Sequence, residues 1–467
     1  MAFEQHAESF VSQYQRALAN PTLQRALTTA TGKALQARTL AVEQIGENDW
    51  QLVRERARQI KEHTVNHLDF YLDKFAAEVE RAGGHVFWAH TARDARDYVV
   101  KLAHSHGITV VVKGKSMMSE EIDLNAALLA AGIDAVETDL GECIVQLAGE
   151  RPSHINMPAV HKTREDVSDL FEAKLKIERP KSIAEMAAIA RGLLRKRFAQ
   201  AGMGITGVNY AIAENGTIVL VENEGNIRLT TSLPRVHVAV MGLEKVIPSF
   251  ADVDIFLRLL SRSASGQKLC SYVSFLKGVK RSANEEGPDE FHVVLVDNGR
   301  VEMLANPELR ESLYCIRCGA CLNVCPVYQK IGGHAYGWVY PGPIGSVLTP
   351  QMIGTERAGA LPFASSLCGA CRDVCPVKID IPRMLLHLRH EITEASASTS
   401  ERIAFKLWAA VMKSAGRYRI TARVVRLVQK VFGTLPVEKW TTTRDLLPLA
   451  ATTFRELWSR NLDAESE

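Results

Sequence analysis

Two cysteine-rich stretches decide the fold of the last third of the chain: "YCIRCGACLNVCPVY" (residues 314–328) and "SSLCGACRDVCPVKIDIP" (residues 365–382). The first follows the spacing C-x2-C-x2-C-x3-C, with a proline after the last cysteine. The second has the same spacing from its second cysteine position onward and carries Ser365 where the first cysteine would stand. The cysteines of the two runs are Cys315, Cys318, Cys321 and Cys325, and then Cys368, Cys371 and Cys375.

This spacing is typical of iron–sulfur proteins, in which closely spaced thiolates wrap a loop around one corner of a cluster. The last cysteine of each run, before the proline, ligates the other cluster when two runs are present. The rule predicts a first cluster with four thiolates and a second with three; we expect [4Fe–4S] clusters, with a [3Fe–4S] or open cluster as the alternative at the second site. The predicted ligands are Cys315, Cys318, Cys321 and Cys375 for the first cluster, and Cys325, Cys368 and Cys371 for the second.

A pair of structural zinc sites is the alternative for these cysteines. Tetrahedral zinc prefers ligands in C-x2-C pairs, and a third cysteine at the same interval would crowd the tetrahedron. The proline after each run also favours iron and sulfur. Ser365 leaves the second site open to several interpretations: a serine alkoxide ligand, a three-iron cluster, a four-iron cluster completed by water, another side chain or a partner, or no second cluster.

Composition restricts the class of protein. A chain of 467 residues predicts two or three domains. Apolar content of 46%, charged content of 23% and a net charge of +3 are those of a soluble globular protein without a nucleic-acid signature. The first twenty residues lack a secretory pattern and no apolar run approaches a membrane span. We therefore expect a cytoplasmic protein, with peripheral membrane contact left open. The isolated Cys143 and Cys270 are expected to be buried apolar residues.

Hydrophobic patterns divide the chain into four parts: an N-terminal helical segment (1–83), an α/β domain (84–304), a ferredoxin-like domain (305–395) and a C-terminal helical segment (396–467). Apolar strands alternating with helices predict a largely parallel sheet in the second part. A hairpin through Asn215-Gly216 predicts that this sheet is mixed. The predicted strands are 85–90, 108–113, 134–139, 208–213, 217–222, 235–241 and 292–297, and the predicted helices of this part are 91–106, 120–131, 163–177, 182–201 and 250–262.

Several motifs of the α/β part invite a functional interpretation. Gly202, Gly204 and Gly207 have G-x-G-x-x-G spacing but follow a helix and precede a strand, the reverse of a dinucleotide fingerprint, so helix termination explains them better. Candidate anion-binding residues at a strand end are Lys113, Lys115 and Ser116. Candidate ligand contacts at another strand exit are Glu222, Asn223, Glu224 and Asn226, with a solvated turn as the equal alternative. His154 and His161 are predicted to have no functional role.

The basic segment 401–433 carries eight Lys or Arg and one acid on an amphipathic helical pattern. It could contact anionic lipid or an acidic partner, and a solvated helix face is the equal alternative.

The chain resembles the lactate utilisation protein B family. "MGITGVNYAIAENGTIVLVENEGN" (203–226), "YCIRCGACLNVCPVYQKIGGHAYGWVYPGPIGSVLTP" (314–350) and "LPFASSLCGACRDVCPVKIDIP" (361–382) carry the resemblance, which extends over nearly the whole chain. It implies an α/β domain similar to sugar-phosphate isomerases and coenzyme A transferases, followed by a ferredoxin-like domain. It also implies the cysteine assignments given above and a serine at position 365 as the family's usual residue. No catalytic residue of the α/β domain is implied.

The resemblance implies an iron–sulfur electron-transfer subunit in the oxidation of L-lactate to pyruvate. A cysteine-rich subunit and a smaller subunit sharing the α/β domain would be its partners. Two alternatives stay open: a catalytic subunit that binds substrate at an open iron of the second cluster, near the loop "GGHAYGWVYPG" (332–342), or a redox-sensing scaffold.

Overall fold

The computed structural model describes residues 9–282, 284–396, 398–432, 450 and 452–465. The described residues up to 392 form one compact unit, and those from 393 onward form a second. The first three parts predicted from the sequence are therefore packed together in the first unit. The boundaries between them stay a prediction.

The centre of the first unit is a six-stranded sheet in which every pair of neighbours is parallel. Its strand order is β1-β10-β7-β4-β2-β3. The inner strands are apolar on both sides, as a sheet covered on both faces requires. The strands are β1 (His85–Ala89), β2 (Val110–Lys113), β3 (Asp134–Glu137), β4 (Met203–Thr206), β7 (Val236–Gly242) and β10 (Glu290–Val296).

The predicted hairpin is present but belongs to a second, four-stranded sheet with the order β8-β5-β6-β9. In that sheet β5 pairs with β6 and β6 with β9 in antiparallel fashion, and β5 pairs with β8 in parallel fashion. The prediction of one mixed sheet was therefore wrong in its connectivity, because the hairpin leaves the parallel sheet. The strands are β5 (Tyr210–Ile212), β6 (Thr217–Glu222), β8 (Val246–Ile247) and β9 (Tyr272–Leu276).

Helices surround both sheets. The N-terminal helices are α1 (Phe10–Leu18), α2 (Pro21–Glu43), α3 (Glu47–Asn66) and α4 (Leu68–Arg81). Those of the α/β part are α5 (Ala92–Ser105), α6 (Met117–Glu121), α7 (Leu124–Ala130), α8 (Leu140–Ala148), α9 (Arg164–Leu175), α10 (Ile183–Gln200), α11 (Asn226–Ser232), α12 (Val253–Ser265) and α13 (Arg300–Ala305). Those that follow are α14 (Ala320–Val324), α15 (Tyr328–Ile331), α16 (Gly342–Ile353), α17 (Thr355–Ala358), α18 (Ala370–Val374) and α19 (Ile381–Ser396).

The core is built in layers. Apolar residues of α5 and α7 cover one face of the parallel sheet. The other face packs against α4 and the four-stranded sheet, whose residues alternate between two clusters: Ile218 and Leu220 face the parallel sheet, while Val219 faces α12 and the cysteine-rich part. The cysteine-rich part is thus packed on the α/β part through a continuous apolar core.

Most predicted elements of the α/β part are confirmed, and two places that differ are informative. The predicted helix at 120–131 is two helices, α6 and α7, separated at Asp123, whose φ is 53°. Strand β4 lies inside the glycine motif, where only the end of a helix was predicted. A Cβ at Gly204 would lie 1.9 Å from the carbonyl oxygen of Thr230, so this glycine allows α11 to pack directly on β4.

The second unit contains α20 (Thr399–Met412), α21 (Ala415–Phe432) and α22 (Phe454–Glu465). Large apolar side chains of α20 and α21 are exposed, among them Phe405, Trp408 and Leu427. The predicted basic segment is therefore helical over its described residues and also presents apolar surface. No helix in the described ranges is both long and apolar enough to cross a membrane.

Candidate metal centre

The two cysteine runs have the same backbone. In the first, Arg317 and Gly319 have φ values of 61° and 78°, and α14 follows. In the second, Leu367 and Gly369 have φ values of 56° and 85°, and α18 follows. These left-handed residues curl each run into a loop that ends in one helical turn. The two runs are therefore a structural repeat, as the spacing indicates.

Ser365 occupies the place of the missing cysteine in this repeat. In the first run the backbone N–H of Arg317 donates to Cys315 Sγ at 3.4 Å. In the second, the backbone N–H of Leu367 donates to Ser365 Oγ at 3.1 Å. The serine oxygen thus accepts the hydrogen bond that the thiol sulfur accepts in the first run, so the loop keeps its shape without the fourth sulfur.

Cysteines from both runs lie around the same cavity. One small apolar cavity is lined by four of them, three from the first run and one from the second, together with isoleucines such as Ile155 and Ile344. Those four are Cys315, Cys318, Cys321 and Cys375. Four soft donors around an apolar space fit the ligand set of an iron–sulfur cluster.

The remaining three cysteines form a second, more open group. Burial, with the neighbouring thiols of Cys325 and Cys368, raises the pKa of Cys371 to about 12. Cys368 is exposed, and hydrogen bonds from the Ala370 backbone and the Ser366 side chain lower the pKa of its thiol. In the described ranges, no group of three His, Cys, Asp or Glu side chains is placed to hold a single metal ion.

The N-terminal helix α3 anchors the second run. Arg54, 5% exposed, donates from Nε and Nη2 to the carbonyl oxygen of Cys375, at 3.0 and 2.7 Å, and from Nη2 to the carbonyl oxygen of Asp373 at 2.8 Å. These carbonyl groups lie at the end of α18, where no intrahelical donor reaches them. Arg54 therefore orients the backbone that carries Cys375.

A loop of the α/β part anchors the first run. The ring of His154 is buried; Nε2 pairs with Asn323 Oδ1 at 3.1 Å, and Nδ1 accepts from the backbone N–H of Asn156 at 3.0 Å. Asn156 in turn donates to the carbonyl oxygen of Cys318. Burial lowers the pKa of His154 to about 4. The sequence predicted no role for His154, and the structure assigns it a supporting one.

The larger candidate site is a cavity of about 400 Å³ at the carboxyl ends of β2, β3, β4 and β7, called here the sheet-end cavity. It brings together residues that the sequence analysis singled out separately: Lys115, Ser116, Glu222, Asn223, Glu224 and Asn226. Ligands commonly bind at this edge of an open α/β sheet. Its remaining wall comes from the cysteine-rich part and includes Ile316, Arg317 and Tyr340.

Three details of the sequence predictions need correction here. After β6, residues 223–225 form a bend in which Asn223 and Glu224 are exposed, as the solvated-turn alternative predicts, whereas the buried Asn226 begins α11, whose Ile227 and Arg228 backbone N–H groups donate to the Glu222 carboxylate at 2.6 and 2.9 Å. Lys113 is fully buried in ion pairs and does not line the cavity. Cys143 is buried as predicted, whereas Cys270 is half-buried and lines the cavity.

Beside the sheet-end cavity lies a buried group of charges, called here the basic cluster. Arg300 donates to both Glu121 oxygens, at 2.9 and 2.8 Å, and to Glu244 Oε2 at 2.6 Å. Arg317 stacks 4.6 Å from the Tyr340 ring centroid and donates to Glu244 Oε1 at 3.3 Å. The basic cluster consists of Lys61, Lys245, Arg300 and Arg317 with Glu121 and Glu244. It has two more cations than carboxylates.

The pKa values in the basic cluster reflect that excess. Burial would raise the pKa of Glu244, but Arg300 and Arg317 outweigh it and hold this pKa at about 2. Burial lowers the pKa of Lys61 and of Lys245 to about 8, which the nearby Glu244 only partly offsets. A thiolate at Cys315 would favour both ammonium groups.

A second buried group, called here the acidic cluster, has the opposite balance. Lys113 Nζ lies 2.7 Å from Glu137 Oε1 and 3.1 Å from Glu120 Oε1. Among the described residues, none donates a hydrogen bond to either carboxyl oxygen of the nearby Glu142. Burial, followed by the charge of Glu137, raises the pKa of Glu142 well above its ordinary value. The acidic cluster consists of Lys113, Glu120, Glu137 and Glu142.

Family comparisons agree with this architecture. The LUD domain family matches residues 72–296, the 4Fe-4S dicluster domain matches residues 311–379, and the lactate utilisation protein B C-terminal family matches residues 387–462. The class is thus a LUD domain followed by a dicluster iron–sulfur domain.

Full-length relatives narrow the class to one family. Proteins named "Lactate utilization protein B" are 42% identical in Shouchella clausii, 40% in Oceanobacillus iheyensis and 39% in Bacillus subtilis. Each alignment covers 98% of this chain, and it covers 98%, 98% and 97% of the respective relative. The chain belongs to the lactate utilisation protein B family.

Proposed function

We propose that the chain is an iron–sulfur electron-transfer subunit in the oxidation of L-lactate to pyruvate. The names of its full-length relatives and the match to a 4Fe-4S dicluster domain support a role in lactate utilisation with iron–sulfur binding. The observation that carries the finer proposal is the single cavity lined by cysteines of both runs.

The proposed ligands of the first cluster are the four cysteines of that cavity, Cys315, Cys318, Cys321 and Cys375. Those of the second are Cys325, Cys368 and Cys371. When bound, such clusters supply one-electron stations, whereas oxidation of lactate releases two electrons. The chain's residues hold the thiolates, and the isoleucines around the first site keep water from them. Arg54 and His154 fix the backbones that carry these ligands.

The ligand assignment is tested by a pair of variants from the same run. Cys375→Ser should abolish the first cluster and leave the second, although Cys375 belongs to the second run, and Cys368→Ser should do the reverse. EPR spectra of anaerobically purified protein, with iron content, would separate the two losses. Cys143→Ser, a buried cysteine outside both groups, is the control and should change neither spectrum. Identical losses in the first two variants would contradict the assignment.

The electron-transfer role is tested by reconstitution. The proposed partners are a cysteine-rich subunit and a smaller subunit that shares the LUD domain. L-lactate should reduce the clusters of this chain in the reconstituted complex and leave them oxidised in this chain alone. Reduction of the isolated chain would favour the catalytic alternative, and clusters that stay oxidised in an active complex would exclude electron transfer through them.

The catalytic alternative rests on the exposed Cys368 and the hydroxyl at Ser365. Ser365→Cys would place a thiol where Cys315 lies in the first run and complete the second ligand set. Electron transfer predicts that lactate oxidation by the complex persists in this variant. An iron that binds substrate predicts that activity is lost while the cluster is retained, which EPR would detect.

A further inference from the structure

The sheet-end cavity is enclosed by two parts of the chain with different tasks. Strand ends of the α/β part form most of it, and residues 316 and 317, between two cysteines of the first run, close it. A molecule in the cavity would therefore contact the same loop that carries Cys315 and Cys318. The cavity is also large enough for a small organic ligand, since its volume is about 400 Å³.

One side of the sheet-end cavity is cationic. Arg317 is 8% exposed, and its Nη1 has no hydrogen-bond partner in the described part of the chain. The ammonium of Lys245 also lines the cavity, and no described residue accepts a hydrogen bond from it. A buried donor without an acceptor is unfavourable, so an anion that reaches these groups would remove that cost.

Within the basic cluster, the two carboxylates do not balance the four cations. Glu121 is committed to Arg300, Asn298 and Tyr340, and Glu244 to Arg300 and Arg317. An occupied first cluster would supply part of the missing negative charge through Cys315. It would not supply hydrogen-bond acceptors inside the cavity, which a carboxylate ligand would.

The lining of the sheet-end cavity also includes hydrogen-bond acceptors. The exposed Glu224 accepts through Oε2 from the Leu140 backbone N–H at 3.2 Å, and no described residue donates to its Oε1. Asp139 and Asn223 also line the cavity. A ligand with a carboxylate at one end and a hydroxyl group next to it would use both kinds of group, because the hydroxyl group can donate to Glu224.

We propose that the sheet-end cavity is a binding site for a small 2-hydroxy carboxylate, with Lys245 and Arg317 holding the carboxylate and Glu224 accepting from the hydroxyl group. The choice of a 2-hydroxy acid rests on the proposed function, whereas the anion site itself rests on the geometry. The site places the ligand beside the loop of the first cluster and lies in the part of the chain to which the sequence assigned no catalytic residue.

Calorimetric titration of the full chain, purified anaerobically with its clusters, tests the site. L-lactate and pyruvate should both bind, and acetate at the same concentration should bind at least tenfold more weakly. Lys245→Gln should weaken both ligands tenfold or more, since a hydrogen bond to a charged group is lost. Glu224→Gln should weaken lactate and leave pyruvate unchanged or tighter, because pyruvate has no hydroxyl group to donate.

Lys101→Gln, an exposed lysine of α5, is the control and should bind as the parent does. Iron content and visible absorption must match the parent in every variant, which separates loss of binding from loss of clusters. Absence of binding to the parent, or equal binding to the parent and Lys245→Gln, would overturn the site. If the site fails this test but the reconstituted complex still passes electrons from lactate, the proposed function survives without the site. If lactate binds but does not reduce the clusters in that complex, the site survives and the proposed function does not.

Discussion

The basic and the acidic clusters lie at the same edge of the six-stranded sheet, and they differ in how their buried charge can be balanced. The basic cluster has two arginines, which keep their charge at any pH a protein experiences. Its two lysines, Lys61 and Lys245, have pKa values that burial lowers to about 8 and stay largely charged at neutral pH, so a bound anion would balance the excess there. The acidic cluster has three carboxyl groups around one lysine, and a buried carboxyl group can balance its excess by keeping a proton.

This difference indicates which of the two clusters is the better candidate for a functional site. A charge excess that protons can cancel is a feature of the folded core and needs no ligand. A charge excess that loss or gain of protons does not cancel at neutral pH, beside a cavity and a predicted cluster loop, indicates a place for negatively charged groups. The following predictions test this distinction, beginning with the largest expected effect.

Arg300→Leu should be the most damaging substitution. It leaves Glu121 and Glu244, both almost completely buried, without their shared cation. Breaking a buried ion pair by removing one partner costs about 3–5 kcal/mol. The thermal midpoint of the variant, followed by circular dichroism, should fall sharply or the variant should fail to fold.

Arg258→Leu is the matched control for Arg300→Leu. Arg258 pairs with Asp254, which lies four residues earlier on the surface of α12, and both side chains are more than half exposed. Such a pair contributes about 0.3–0.5 kcal/mol. Similar losses in the two variants would show that burial of the charges is not what makes the basic cluster sensitive.

Lys113→Met should cost less, about 2–3 kcal/mol at pH 7, because the carboxyl groups it leaves can take up protons. Burial already raises the folded-state pKa of Glu120 above the unfolded value of about 4.3, and loss of the Lys113 charge raises it further. The penalty is therefore present above that pH and disappears below it. Melts of the variant and parent should converge at pH 4. Lys174→Met, at an exposed position of α9, should show no pH-dependent difference.

The sequence predicted the features that depend on neighbouring residues, and it missed the contacts between residues that are far apart in the chain. Cysteine spacing and apolar strands are local patterns, so the two runs and most strands could be recognised. Strand β4 contains a glycine, and α11 is rich in β-branched and hydroxyl residues, which favour helices weakly. Lys113 resembled an anion-site residue because its partner Glu137 lies on a different strand. Arg317 and Glu244 are likewise joined only by the fold.

Tyr340→Phe should have an intermediate effect. The Tyr340 hydroxyl group donates to Glu121 Oε2 at 2.6 Å, and the substitution removes this donor while keeping the ring beneath Arg317. Hydrogen bonds to charged groups contribute about 1.5–3 kcal/mol. Tyr336→Phe is a close control, since the hydroxyl group of Tyr336 is buried without a partner. Its removal should be neutral or slightly stabilising, and equal losses in both variants would mean that ring packing alone is responsible.

Glu142→Gln is the smallest effect and the most direct test of how the acidic cluster is balanced. The folded-state pKa of Glu142 is raised by burial and by Glu137, so the folded protein keeps a proton that the unfolded chain releases near pH 4.3. Ionisation therefore favours unfolding as the pH rises through 4.3 toward the folded-state pKa. Glutamine cannot ionise, so this pH-dependent loss of stability is absent from the variant.

The variant should therefore be more stable than the parent by about 1 kcal/mol at pH 7.5 and equal to it at pH 4. Thermal melts at the two pH values, with the exposed Glu80→Gln on α4 as the control, measure this difference. A loss of stability at pH 7.5 would mean that Glu142 is ionised in the folded protein. The acidic cluster would then carry an uncompensated charge, and the contrast with the basic cluster would no longer hold.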